Sequence, residues 1–97
     1  MLLHTLNSTP QSSATRDCCS LIGNQDAVIL FGDGVYCALV GSNSSDALTA
    51  SGAVIYALAA DVDAAGIATR LSDQVSIIDY AEFVAISEKY PRQMAWY

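Results

Sequence analysis

AVILFGDGVYCALVG, residues 27–41, decides how this chain folds. Its first five residues, 27–31, are apolar without a break. The run has the length of a strand and shows no alternation, the mark of a strand buried on both faces inside a parallel sheet. GDG follows as a tight turn, in which Gly34 relieves backbone strain and Asp33 is placed to cap the next helix. VYCALVG reads as a short helix stopped by Gly41.

Working outward, the same alternation repeats. LLHTL (2–6) reads as a first strand, and Ser12 to Ile22 as a helix with Ser or Thr caps, ended by Gly23-Asn24. SNSSDALTASG is a polar connection with room for a helical turn, and AVIYALA (53–59) is a third strong strand. DVDAAGI is a short helix with Asp61 near its start and Gly66 near its end. VSIID (75–79) is another strand. YAEFVAISEKY (80–90) is amphipathic, with Phe83, Val84 and Ile86 around one side and Glu82, Glu88 and Lys89 elsewhere; Pro91 stops it. Strand–helix alternation of this kind implies an α/β fold in three layers. A mainly parallel sheet of four or five strands carries helices on both faces, joined by right-handed crossovers.

The 97 residues fit a single domain spanning 1–97. The hydrophobic share is 53% and the charged share 14%, enough for a compact core. It is also more apolar surface than a small monomer easily hides, so part of it is expected to meet another subunit. The formal net charge is -6 with only four Lys and Arg, too few for a basic patch, so direct nucleic-acid binding is not expected. MLLHTLNSTP lacks the basic start of a secretory signal, and no segment reaches the roughly 18 apolar residues of a membrane span. The expected compartment is the cytoplasm, where thiols stay reduced, and no membrane partner is expected.

Three cysteines, an odd number, argue against a disulfide framework, and the adjacent Cys18 and Cys19 are poor partners for each other. Helical spacing puts Ala14, Cys18, Leu21 and Ile22 on one face, against the sheet, so Cys18 reads as a small buried hydrophobe. Cys19 points nearer the edge with Thr15 and is the better candidate for exposure. A sulfur carrier needs a thiolate and access. Arg16 would favour the thiolate and Asp17 oppose it, and the second half of a helix is the wrong end for an anion. Cys37, between Tyr36 and Ala38, reads as core or interface filler.

His4 is the single histidine, so a metal site is not expected; it reads as a satisfied polar group at the strand's edge or a subunit contact. Asp61, Asp63, Asp73 and Asp79 have no metal-ligand spacing and read as caps or solvated charges. No GxGxxG or Walker pattern is present, so no nucleotide or other cofactor is expected. Tyr56, Tyr80, Tyr90, Trp96 and Tyr97 fall mostly late in the chain, and Trp96 is expected to dock on the domain or in an interface.

LHTLN at the start, FGDGVYCAL after the buried strand, VIYALAADVDAAGI, IIDYAEFV and the terminal QMAW together resemble the TusB/DsrH family, in order and spacing over nearly the whole chain. The resemblance implies a DsrE/F/H-like fold and a place in a sulfur relay. TusB pairs with TusC and TusD in a heterohexamer. That complex takes persulfide sulfur from an upstream carrier and passes it, through a downstream one, toward 2-thiouridine at the tRNA wobble position. In that branch the principal sulfur-accepting cysteine belongs to TusD. The DsrH branch, which serves DsrEFH complexes in oxidative sulfur metabolism, carries a cysteine in the first helix. Counted back without gaps from the DGV turn, Cys18 falls at that place and Cys19 one residue away.

Three readings stay open. The chain is an accessory subunit of a TusBCD-type complex; or a DsrH-like subunit whose Cys18 or Cys19 carries persulfide; or a stand-alone homo-oligomeric binding protein. An isolated chain could also self-associate.

Overall fold

The computed structural model describes residues 1–96; Tyr97 lies outside the described residues. Five strands, β1 (Leu3–Leu6), β2 (Ala27–Leu30), β3 (Val54–Leu58), β4 (Val75–Ile78) and β5 (Gln93–Trp96), form one sheet in the order β4-β3-β2-β1-β5. Every pairing in it is parallel. β2 lies at the centre, and all four of its side chains are fully buried, as its unbroken apolar run requires.

Four α-helices connect the strands: α1 (Ser13–Leu21), α2 (Asn43–Ala50), α3 (Ala59–Ala65) and α4 (Tyr80–Lys89). A 3-10 helix runs over Gly32–Ala38. On one face of the sheet, Leu6, Val28, Leu30, Ile55 and Ala57 pack with Cys18, Leu48, Val62, Val35 and Cys37 from α1, α2, α3 and the 3-10 helix. On the other, Leu3, Ala27, Ile29 and Ile78 meet Phe83, Ile86 and Tyr90. The fold therefore has three layers, and they are unequal. At about 1.5–3 kcal/mol for each fully buried Leu, Ile or Val, the first face carries most of the hydrophobic stabilisation. No residue of α4 is fully buried.

The caps follow the local chemistry. Ser12 accepts from the Thr15 N–H at 3.1 Å and starts α1. Asp79 accepts from the Glu82 N–H at 2.7 Å while Glu82 accepts from the Asp79 N–H at 3.0 Å, a reciprocal capping box on α4. Gly66, at φ +70°, closes α3 in the left-handed region.

Around the turn after β2 and in α2 the structure departs from the sequence reading. The helix after β2 begins at Gly32 and ends at Ala38, short of Gly41, because the chain turns into an antiparallel bridge between Leu39 and Leu71. Asp33 does not cap it. It is exposed, and the Gly32 N–H donates instead to the Asp61 carboxylate, 2.8 Å away at the start of α3. Gly34 relieves no strained dihedral; a Cβ there would run into the Leu6 carbonyl, so close approach of two backbones is what requires glycine. SNSSDALTASG holds the full helix α2, started by Ser42, whose side chain accepts from the Ser45 N–H, and anchored by buried Leu48.

Candidate functional site

The cysteines sit where α1 crosses the packed face. Cys18 is buried and Cys19 half-buried, the order that helical spacing assigns them. The buried stripe itself is Thr15, Cys18 and Ile22, whereas Leu21 is 63% exposed. Thr15 belongs inside rather than at the edge because its hydroxyl donates to the Thr9 carbonyl at 2.7 Å and accepts from Ser12.

Burial pushes the Cys18 thiol up to about 12, and the neighbouring Cys19 and Cys37 thiols and Asp26 add to the effect. Cys37 is buried, and burial pushes it up to about 11, although the Thr15 and Ser44 hydroxyls beside it pull the other way. Burial raises Cys19 as well. Cys19 alone of the three faces open space: it lines a groove of about 350 Å³ between α1 and α2, with Thr15, Arg16, Asn43 and Ser44. The site therefore offers one accessible thiol above two deeply placed ones. Among the described residues no three His, Cys, Asp or Glu side chains converge to hold a metal ion.

The single histidine is satisfied, but it lies inside the sheet rather than at its edge. His4 is fully buried on β1, which pairs with β2 on one side and β5 on the other. The Trp96 Nε1–H donates to His4 Nδ1 at 3.0 Å. An indole can only donate, so Nδ1 carries the lone pair and Nε2 the proton. Nε2–H then donates to Asp26 Oδ2 at 3.0 Å. Asp26 also accepts from the Leu2 N–H and the Gly23 N–H, both at 2.9 Å. Partial burial would raise the Asp26 carboxyl, but the Gly23, His4 and Leu2 donors outweigh it and hold the group below its ordinary range. Trp96 is thus docked on its own domain. The sequence reading passed over Asp26; the signal was an acid placed directly before the buried run 27–31.

At the carboxyl end of the sheet, where α/β folds place ligands, Gly32, Asp33, Tyr36 and Asp61 line a shallow cavity of about 230 Å³. Asp61 is committed there to the Gly32 N–H. Among the described residues no helix is long and apolar enough to cross a membrane.

A sequence model of the family described as DsrH like protein matches residues 7–93. The chain belongs to the DsrH-like family. One relative, Protein TusB of Pectobacterium parmentieri, is 37% identical over 95 residues, covering 98% of this chain and all of that one. Among solved structures, the ychN protein of E. coli superposes with a TM-score of 0.78 at 20% identity, over 98% of this chain and 97% of that one. Tm0979 of Thermotoga maritima superposes at 0.68 and 24% identity, over 92% and 93%. At those identities the likeness is one of fold, and it is the DsrE/F/H-like three-layer arrangement. Within this DsrH-like chain, both first-helix cysteines fall inside the matched span.

Proposed function

We propose that the chain is a subunit of a TusBCD-type sulfur relay. The complex passes persulfide sulfur toward 2-thiouridine at the tRNA wobble position, with TusC- and TusD-like subunits as partners and persulfide carrier proteins on either side. The observation that carries the relay assignment is the end-to-end match to a relative named Protein TusB. Within the complex the chain is accessory to the sulfur-carrying D subunit. What supports this is the chemistry of its thiols: a relay cysteine needs a thiolate and access, and Cys18 and Cys37 have neither.

One observation favours a second reading, in which the chain carries sulfur itself as DsrH-like chains do. Cys19 opens on a groove beside Arg16. In that step the Cys19 thiolate attacks the outer sulfur of a donor persulfide. A new S–S bond forms on Cys19, and the donor cysteine leaves as its thiolate, so one sulfur moves with no net oxidation. Cys18 takes part only if α1 opens.

The test is the intact mass of the protein after exposure to a persulfide-loaded donor, alone and with its partners, with Cys18→Ser and Cys19→Ser alongside. The accessory role expects no added sulfur on this chain while the partner subunit gains it. A reductant-reversible gain of one sulfur, lost in Cys19→Ser, would replace the accessory role with the carrier role.

A further inference from the structure

β5 is an edge strand. β1 pairs with it on one side, and among the described residues nothing pairs with it on the other. Its side chains are mostly exposed; Trp96 is the one that packs inward, against the layer that holds Cys18, Val28 and Leu30. There the indole spends its one N–H on Nδ1 of the buried His4, 3.0 Å away. That bond carries a chemical condition. Nδ1 accepts only while it is unprotonated, and Nε2 already holds a proton, donated to Asp26 at 3.0 Å. A second proton on the imidazole therefore has one place to go, the atom that Trp96 occupies. Two N–H groups cannot face each other at that distance, so protonated His4 and docked Trp96 exclude each other.

We propose that His4 is a proton-operated latch: a proton at Nδ1 releases the Trp96 indole and with it the end of β5, while the rest of the sheet stays folded. Asp26 makes the released state accessible. Its carboxylate is held below the ordinary carboxyl range, so it is still ionised where imidazoles titrate, at about pH 5–8. Charging the ring turns the His4–Asp26 bond into an ion pair, which offsets part of the cost of a buried charge. Water at the opened edge replaces Trp96 on Nδ1. The other neighbours of His4 bring no competing charge. β2 sets Val28 beside it and β5 sets Met94. α1, which packs on β1, sets the Cys18 thiol in the same layer, kept neutral by burial. Arg16 and Asp17 of α1 and Arg92 ahead of β5 are exposed. Because the proton enters only the released state, the docked state holds at high pH and is lost as pH falls. Below the pH at which the released imidazole titrates, the ratio of released to docked chains rises by up to about tenfold per pH unit.

The experiment follows hydrogen exchange at the Asn7 amide, which donates to the Trp96 carbonyl at 3.3 Å. Exchange is measured from about pH 8 to pH 5 and corrected for its intrinsic pH dependence. Trp96 is the chain's one tryptophan, so its fluorescence reports the same site. Protection of Asn7 is expected to fall about tenfold or more over that range. The emission moves reversibly to longer wavelength, and the amides of β2 keep their protection. In Asp26→Asn the fall moves to lower pH, because the counter-charge is gone. His4→Gln and Trp96→Phe each flatten the Asn7 profile, the first by removing the titrating group and the second by removing the bond it breaks. If one of the two fails to fold, the other decides. An Asn7 profile that is flat in the wild type, or that falls equally in the two variants, would overturn the latch. So would loss of β2 protection over the same range, which would make the acid response one of the whole fold. Neither result bears on the relay role.

Discussion

Trp96 and His4 stand 92 residues apart in sequence and share a hydrogen bond of 3.0 Å, with their ring planes inclined by 19°. That bond ties the last strand of the sheet to the first. It also starts a chain of donors that runs through His4 to end at Asp26, whose carboxylate accepts from the Leu2 and Gly23 N–H groups as well. The closing strand β5 has mostly exposed side chains, so this polar chain stands in for the apolar burial it lacks.

Trp96→Phe keeps a ring on β5 but removes the donor. His4 Nδ1 is then left buried and unpaired, at a cost of about 1–3 kcal/mol. Urea denaturation is expected to show that loss. Because the two groups act as one unit, His4→Phe combined with Trp96→Phe should cost clearly less than the two single losses added. Strict additivity would mean that the bond contributes nothing.

Asp26 sets an acid dependence. Its carboxyl is held below the ordinary value in the folded chain. Its stabilisation is therefore complete above the unfolded carboxyl value of about 3.9 and fades as pH falls through the folded value. Asp26→Asn is expected to cost about 2 kcal/mol at neutral pH through weaker bonds to three donors. The gap from wild type should close in acid, once the native carboxyl is also neutral. A gap that stays constant from about pH 7 to pH 3 would show that the ionised form has no special role.

The thiols should separate by reactivity. With its thiol pushed to about 12, Cys18 is a thiolate in about one molecule in ten thousand at pH 8, before access is considered. Cys37, at about 11, is scarcely better placed. Alkylation of the native protein with iodoacetamide, followed by peptide mapping, is expected to label Cys19 first. Cys18 and Cys37 should be labelled only as the protein opens, and all three promptly in urea. Rapid native labelling of Cys18 would mean that α1 opens readily, and would return Cys18 to the list of sulfur carriers.

The sequence made some of this legible and hid the rest for physical reasons. Apolar runs marked β1 to β4 because strands with a covered face cannot avoid them. Cys18 and Cys19 sorted correctly because one helical step of 100° separates inside from edge. α2 was obscured by its composition: Ser44 and Ser45 are buried serines, and Ser44 is satisfied by donating to the Cys37 carbonyl at 3.3 Å. Nothing local distinguishes such serines from loop serines. QMAW has no strand signature of its own; its conformation comes from pairing with β1. The His4–Asp26–Trp96 chain joins two strands, β1 and β5, and the loop before β2, a juxtaposition that appears only after folding.

Gly34 in the DGV turn and Gly41 just before α2 allow a comparison of two glycines in which space and conformation are separated. Gly34 has an ordinary backbone conformation, but an added Cβ would meet the Leu6 carbonyl, and neither backbone can retreat without disturbing the pairing of β1 with β2. Gly41 is the reverse: its φ is +81° and nothing lies within 4 Å of a new Cβ. Gly41→Ala is expected to cost about 1–2 kcal/mol, the conformational penalty alone. Gly34→Ala is expected to cost about 3 kcal/mol or more, because the new Cβ would meet the Leu6 backbone at the end of β1 rather than a side chain that could move aside. Thermal or urea midpoints of the two variants check the order. If Gly34→Ala proved the milder change, the close approach of the turn to β1 would not be what fixes glycine at this position.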